Sequence, residues 1–249
     1  MTTPILAGAE PYFHQGGTDG VLVLHGFTGN PTSMRPLAER FAAAGYSVML
    51  PRLPGHGTTV ADMMTTNWDD WSSAALAAYD ELATHCSRVV VAGLSMGGGL
   101  AALVAERRPV FGVVLINPLV KSPGAELEEG LAQLIDSGVE TIDSIGSDVK
   151  KEGVVESSYP ATPLGCVVSL FAGVKEVEAN LHSISAPCLL ISSREDHVVT
   201  SDNGDALVEH VSGPIERLWL ENSYHVATID NDQELVESSA LAFAAKVLA

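Results

Sequence analysis

Short apolar runs, bounded by glycine and proline, recur along the chain and are separated by amphipathic segments. Each run has the length of a strand, is rich in Val, Ile and Leu, and shows little alternation between apolar and polar residues. This pattern is typical of strands in a parallel sheet that is covered on both faces. The runs that fit it are residues 21–24, 46–50, 88–92, 112–117, 187–193 and 215–221.

The segments between these runs place apolar residues at helical spacing. Helices are predicted at residues 34–45, 67–86, 97–108 and 232–249. Another helix is predicted from a stripe formed by Val167, Leu170, Phe171, Val174 and Val177. Strands that alternate with helices predict an α/β fold, with a mostly parallel central sheet flanked by helices.

Residues 119–163 interrupt this alternation. They begin with an amphipathic helical pattern through Leu127, Leu131, Leu134 and Ile135, and continue with turns rich in Gly, Ser and Pro. An insertion of this length is usually a functional lid or a disordered segment, and its apolar stripe favours a lid. We therefore expect a core of residues 1–118 and 164–249, with a cap at 119–163.

A single serine, Ser95, lies between a predicted strand and a predicted helix, in the pentapeptide G-x-S-x-G of residues 93–97. That motif forms a sharp turn in which the serine oxygen is held clear of the sheet. Glycine is needed two positions to either side because larger side chains would collide. The setting predicts a nucleophile, and the alternative is a turn that only packs a helix on a sheet.

A nucleophilic serine requires a base, and the base requires a carboxylate that orients it. In α/β folds that carry this motif between a strand and a helix, the three residues follow one another along the chain in the order nucleophile, acid, histidine. Glu195 and Asp196 follow a late strand, and Asp196 is the preferred acid because it lies further past the strand end; Glu195 is the alternative. His225 follows the next strand and is the expected base.

Two backbone N–H groups should hold the oxyanion that forms during acyl transfer. One is expected from Met96, directly after the nucleophile and at a helix N-terminus, and the other from Phe27 in the loop after the first core strand. His25 and His56 belong to glycine-flanked turns in the same part of the chain. We expect them to hold those loops by hydrogen bonds and not to act as bases.

The charge and cysteine content exclude several classes of partner. The formal net charge is −18, with 13 Lys and Arg against 31 Asp and Glu, and no basic run exists that could bind nucleic acid or an anionic bilayer. The three cysteines have no metal-binding or disulfide spacing, and no apolar stretch approaches 18 residues. With no recognisable signal peptide, these features predict a cytoplasmic protein without stable membrane insertion or metal, and they set no oligomeric state.

Several blocks between residues 25 and 228 together resemble the α/β-hydrolase superfamily, in particular its bacterial monoacylglycerol lipase and small carboxylesterase branch. The blocks are HGFTGNP, MRPLAERFAAAGYSV, LPRLPGHGT, GLSMGG, SIGSD, EDHVV and NSYHVAT. The resemblance implies the α/β-hydrolase fold with a small cap inserted after the sixth core strand. It matches Ser95, Asp196 and His225 to the catalytic triad, and Phe27 and Met96 to the oxyanion hole.

The resemblance also bears on the substrate. Monoacylglycerol lipases of this branch use a cap glutamate to hydrogen-bond the glycerol hydroxyls, and the matching position is Glu156; the alternative is a solvated surface carboxylate. The implied activity is that of a serine ester hydrolase that cleaves monoglycerides to glycerol and fatty acid through an acyl-enzyme on Ser95, without a cofactor. The alternative is a general short- or medium-chain carboxylesterase with the same triad and no glycerol selectivity. In either case the partner is a small-molecule lipid or ester.

Overall fold

The computed structural model describes residues 3–144 and 146–249, and a twisted, mostly parallel sheet runs through it. The sheet has the strand order β1-β3-β2-β4-β5-β8-β9, while β6 and β7 pair separately. The strands are β1 Tyr12–His14, β2 Asp19–Leu24, β3 Ser47–Leu50, β4 Arg88–Leu94, β5 Gly112–Ile116, β6 Thr141–Asp143, β7 Ala161–Pro163, β8 Cys188–Ser193 and β9 Ile215–Leu220.

Helices cover both faces of this sheet. They are α1 Arg35–Ala43, α2 Val60–Met63, α3 Trp68–Ala83, α4 Met96–Arg107, α5 Ala125–Asp136, α6 Leu164–Asn180, α7 Asp202–His210 and α8 Gln233–Val247. Successive residues of a strand point to opposite faces, so the sheet separates two apolar cores. Leu22 packs with α3, α4 and α6, whereas Val23 packs with α1 and α8.

The predicted fold class is confirmed. Each of the apolar runs forms a strand within one or two residues of its predicted bounds, and these six strands are all parallel to one another. The antiparallel strand β1 was not predicted. It is an edge strand of three residues, and Phe13 at its centre is 52% exposed, so it lacks the apolar run that burial on both faces produces.

The expected insertion lies between β5 and α6 and contains α5 and the antiparallel pair β6–β7. It follows the fifth strand of the described chain and not a sixth, because five strands precede it. The predicted amphipathic helix is present as α5, but its apolar stripe is only partly covered. Leu131 is buried, whereas Leu127, Leu134 and Ile135 are 48%, 40% and 39% exposed.

The longer helices are amphipathic. In α6, for example, Leu170, Val174 and Val177 are buried, whereas Lys175 and Glu176 are exposed. None of the helices in the described part of the chain is both long enough and apolar enough to cross a membrane.

Glu106, in the last turn of α4, gives the fold a pH-dependent weakness. Its Oε1 atom is buried and has no hydrogen-bond partner among the described residues. Burial raises the pKa of Glu106 to about 8, against a smaller opposing effect of Arg107. The unfolded chain loses this proton near the ordinary glutamate pKa, so between that value and about 8 the folded state becomes less stable as the pH rises.

We expect Glu106→Gln to raise the free energy of unfolding by about 1–3 kcal/mol at pH 9, because no buried charge then lacks a partner. The gain should shrink as the pH is lowered towards 5, where the folded protein keeps its proton. Urea denaturation at several pH values measures both effects. Glu81→Gln, at an exposed position on α3, is the matched control and should change stability little. Equal gains at all pH values would contradict the prediction.

Candidate active site

Ser95 lies in a turn between β4 and α4 that leaves no space for side chains on its flanks. Its backbone has φ 57° and ψ −121°, in the left-handed half of conformational space that L-residues rarely adopt. A Cβ atom on Gly93 would lie 2.0 Å from the carbonyl oxygen of Gly97. One on Gly97 would lie 2.2 Å from that of Leu24 in β2. The glycine spacing in the motif therefore corresponds to two real close approaches.

The loops after β8 and β9 bring Asp196 and His225 together. Asp196 Oδ2 lies 2.8 Å from His225 Nδ1, and the two side chains are only 5% and 8% exposed. The other carboxylate oxygen, Oδ1, accepts hydrogen bonds from the amides of Val198 and Val199 at 2.9 and 2.8 Å. The alternative acid, Glu195, points away, since its exposed carboxylate pairs with Lys150 at 2.9 Å. Of the two carboxylates, Asp196 is therefore the one that contacts the imidazole of His225.

Ser95 and His225 line the same cavity. Among the described residues, no hydrogen bond joins Ser95 Oγ to His225 Nε2. Catalytic hydrogen bonds of this kind are often long or poorly aligned until a substrate is bound. The structure thus places Ser95 and His225, the expected nucleophile and base, in the lining of one cavity, with Asp196 in contact with His225.

The two expected oxyanion donors flank Ser95. Met96 is the first residue of α4, so its N–H has no acceptor within the helix. Phe27 follows Gly26, on which a Cβ atom would lie 4.0 Å from Ser95 Oγ. Within the described part of the chain, neither amide donates a hydrogen bond to a protein group. Both amides are thus available to a ligand near Ser95.

His25 and His56 support the loop that carries Phe27. His25 Nδ1 lies 2.9 Å from the carbonyl oxygen of Gly26, and its Nε2 accepts from the Leu53 amide at 3.1 Å. His56 packs edge-on against the rings of His25 and Phe27. Burial lowers the pKa of His25 to about 3 and that of His56 to about 4, so both are neutral at neutral pH. These contacts agree with the predicted role in holding the loops.

The cavity at Ser95 has a volume of about 360 Å³. The lining has an apolar part and a polar part. Helices α5 and α6 contribute apolar side chains, and the loop after β2 and the segment before β7 contribute polar ones. The apolar residues include Leu127, Leu131, Val167, Leu170 and Phe171, and the polar ones include Thr28, Glu156 and Ser158. An amphiphilic molecule fits such a lining.

Glu156 lines this cavity and is not a fully solvated surface carboxylate. Its amide donates to Ser147 Oγ at 2.8 Å, and its Oε1 would lie 2.9 Å from a Cβ atom on Gly29. Burial raises the pKa of Glu156 to about 7, while the nearby His225 partly offsets this effect. The side chain therefore lies between the loop after β2, which contains Gly29, and the loop after β9, which contains His225.

Two residues that the sequence reasoning missed hold the backbone of His225. Asn117 Nδ2 donates to the carbonyl oxygen of His225 at 2.7 Å, and Asp148 Oδ2 accepts from the His225 amide at 3.0 Å. Asn117 follows the carboxyl end of β5, where ligand-facing residues of parallel sheets collect, so its position was a usable signal. Asp148 lies in an irregular segment and is the last residue of the SIGSD block, but that block indicated a family resemblance and gave no role to this side chain.

The tight turn predicts opposite effects for two glycine substitutions. Gly97→Ala should destabilise the protein by more than about 3 kcal/mol or prevent folding, because its Cβ would overlap the backbone of β2. Gly130→Ala, in α5, is the matched control: no atom lies within 4 Å of the added Cβ, and the helix should gain about 0.5–1 kcal/mol. Thermal unfolding of both variants measures the difference. A stable Gly97→Ala protein with wild-type activity would contradict the close approach.

Comparisons with known proteins agree with this geometry. Residues 18–232 match the model of the Hydrolase_4 family, described as serine aminopeptidase, S33. A thermostable monoacylglycerol lipase from Bacillus sp. (strain H-257) is 43% identical over 248 residues, which cover 98% of this chain and 97% of that protein. A carboxylesterase from Bacillus subtilis (strain 168) is 26% identical over 241 residues, which cover 96% and 97%.

Solved structures of lipolytic enzymes are also similar to this chain. A chain from the work on LipS and LipT, two metagenome-derived lipolytic enzymes, has a TM-score of 0.93 at 43% identity, covering 98% of this chain and all of that one. A monoacylglycerol lipase from Paleococcus ferrophilus, at 18% identity, shares the fold with a TM-score of 0.76, covering 96% of this chain and 99% of that one. The chain therefore belongs to the serine aminopeptidase S33 family of the α/β-hydrolase superfamily, in the branch of its monoacylglycerol lipase relatives.

Proposed function

We propose that the protein is a serine carboxylic-ester hydrolase in which Ser95, Asp196 and His225 form the catalytic triad. The observation that carries the proposal is the 2.8 Å contact between His225 and Asp196, made in the wall of the cavity that Ser95 also lines. The strained turn at Ser95 and the two amides beside it supply the other parts that acyl transfer requires.

In the first step, His225 takes the proton of Ser95 as the serine oxygen attacks the ester carbonyl. Asp196 stabilises the imidazolium that forms, and the amides of Phe27 and Met96 donate to the developing oxyanion. His225 then gives its proton to the departing alcohol. The product of this step is an acyl-enzyme on Ser95 and a free alcohol.

In the second step, water takes the place of the alcohol. His225 removes a proton from the water as its oxygen attacks the acyl-enzyme, and the same two amides hold the second oxyanion. The proton returns to Ser95 as the ester bond breaks, and a carboxylic acid leaves. The acid ionises at neutral pH, and the net charge of −18 favours its departure.

We infer that the preferred substrate is a monoglyceride. The 43% identical relative is named a monoacylglycerol lipase, whereas the relative named a carboxylesterase is 26% identical. The apolar residues of α5 and α6 would contact the acyl chain, and Glu156 would accept hydrogen bonds from glycerol hydroxyls. A general carboxylesterase would use the same triad, and it has less support.

Residues 119–163 are proposed to act as a cap on a core of residues 1–118 and 164–249. Leu127, Leu131 and Glu156 from this segment line the cavity with Ser95, which supports the proposal. Burial of the acyl chain beneath the cap would contribute roughly 0.8 kcal/mol per methylene, so selectivity for chain length should be graded.

The proposed setting is the cytoplasm. Cys86, Cys166 and Cys188 are buried as free thiols, which a reducing compartment preserves. The acidic chain has no basic run for a nucleic-acid partner, so the proposed partner is a neutral lipid or ester.

The triad assignment predicts covalent labelling at one residue. A fluorophosphonate probe should label the wild-type protein, and Ser95→Ala should abolish the labelling. Asp196→Asn should lower kcat by about 10⁴-fold, because the imidazole loses the partner that fixes its orientation and charge. Asp69→Asn is the matched control, since that exposed side chain lies on α3 and does not line the cavity. Undiminished labelling of the Ser95→Ala variant would refute the proposed nucleophile.

The glycerol site predicts a difference between two substrates with the same acyl group. The wild-type protein should show kcat/KM about tenfold higher for a medium-chain monoglyceride than for the methyl ester, equivalent to about 1.4 kcal/mol. Glu156→Ala should remove this advantage and leave the methyl ester unaffected. Glu152→Ala, an exposed carboxylate in the same segment, should preserve it. A wild-type protein without the advantage would be a general carboxylesterase.

A further inference from the structure

A short segment of the insertion crosses the two loops that hold Asp196 and His225. We call residues 147–151 the strap. The two loops follow different strands, β8 and β9, so the strands alone do not fix the distance between the imidazole and the carboxylate. Contacts made by the strap to both loops are therefore relevant to the proposed reaction.

The carboxylate of Asp148 bridges the two loops. Its Oδ2 accepts from the amide of His225 at 3.0 Å and from the amide of His197, the residue after Asp196, at 3.2 Å. Its Oδ1 lies 2.8 Å from Nδ1 of His197. The main-chain oxygen of Asp148 adds a bond from the Val226 amide at 3.1 Å. Asp148 thus binds the main chain of His225, the proposed base, and of His197, which directly follows the proposed acid Asp196.

A second carboxylate fixes the strap itself. Asp230 is fully buried, and its oxygens accept from the amides of Lys150 and Lys151 at 2.7 and 2.8 Å. The same carboxylate accepts from Tyr224, next to His225, at 2.8 Å. On the other side, Lys150 Nζ pairs with Glu195, next to Asp196. The strap therefore cannot shift without breaking bonds to both loops.

We infer that Asp148 is a positioning residue for the His225–Asp196 pair. The inference rests on the proposed function of that pair in ester hydrolysis. The side chain of Asp148 is only 12% exposed and accepts the hydrogen bond of the His225 amide. Removing it would break this largely buried bond and leave the His225 loop free to shift. A misplacement of 1 Å at a reacting group can cost about 10²-fold in rate.

The position of the oxygen, and not its charge, is what this role requires. In Asp148→Asn, the amide oxygen can stand where Oδ2 stands and accept the same two bonds. In Asp148→Glu, the charge is retained but the carboxylate is displaced by one methylene. Asp148→Ala removes the acceptor altogether. His197→Ala is a matched control, because it removes the side-chain partner of Oδ1 and leaves the bond to His225 intact.

The test is kcat and KM for a monoglyceride and for the methyl ester of the same acid, with kcat expressed per site titrated by a fluorophosphonate. We expect Asp148→Ala and Asp148→Glu to lower kcat by about 10–100-fold on both substrates, with KM nearly unchanged. Asp148→Asn and His197→Ala should stay within about threefold of the wild-type kcat, a loss of under 1 kcal/mol. The NMR resonance of the imidazole Nδ1 proton should persist in Asp148→Asn and weaken in Asp148→Ala.

Three results would overturn the inference. Wild-type kcat per titrated site in all variants would mean that Asp148 does not position the pair. If kcat fell in Asp148→Asn but stayed at the wild-type value in Asp148→Glu, the effect would belong to the charge of Asp148 and not to the position of its oxygen. A loss confined to the monoglyceride would assign it to Glu156, which the strap also contacts through Ser147. An unlabelled wild-type protein would refute the proposed function itself, whereas a labelled one with unaffected variants would refute only the inference.

Discussion

The close approach of two backbones beside Ser95 is the constraint on which the site depends. Gly97 lies so near the carbonyl oxygen of Leu24 that the start of α4 is held against the end of β2. This contact brings the loop after β2 beside the serine, where a Cβ atom on Gly26, next to Phe27, would lie 3.5 Å from Ser95 Cβ. The proposed nucleophile and both proposed oxyanion donors therefore share one local origin, which is the absence of side chains at residues 93 and 97.

The other half of the site has a different origin. Asp196 and His225 lie on loops after β8 and β9, beyond the ends of those two strands. Side chains hold them: Asn117 and Asp148 take the two main-chain polar groups of His225, and Asp196 binds the amides of its own loop. Buried polar bonds of this kind are geometrically specific because each unmade one leaves a group without a partner.

This difference explains which features could be predicted from the sequence. The apolar runs, the glycines around Ser95 and the chain order of acid and histidine are local signals. The runs led to the correct strands, and the other two signals led to residues that line one cavity or contact one another. Glu156 was reached by family resemblance alone, since its acidic segment has many carboxylates. Asp148 contacts residues 49 and 77 positions away, and no local pattern encodes such a contact. The apolar periodicity of α5 predicts a helix with one apolar face. It does not specify whether other residues cover that face, so the exposure of Leu127, Leu134 and Ile135 could not be predicted.

The later part of the insertion makes more hydrogen bonds to the core than its earlier part does, and this difference affects the proposed selectivity for the alcohol and the acyl chain. Its later part is bonded to the core through Asp148, through Ser157 to Asn30, and through the Tyr159 hydroxyl to Gly55. Its earlier part, α5, buries only Leu131 among its own residues. The main chain at Glu156 is thus tied to Ser147 of the strap, which also binds the His225 loop, whereas the apolar lining from α5 has few such restraints. Recognition of the alcohol by directed bonds should accordingly be strict, and recognition of the acyl chain by apolar contact should be permissive.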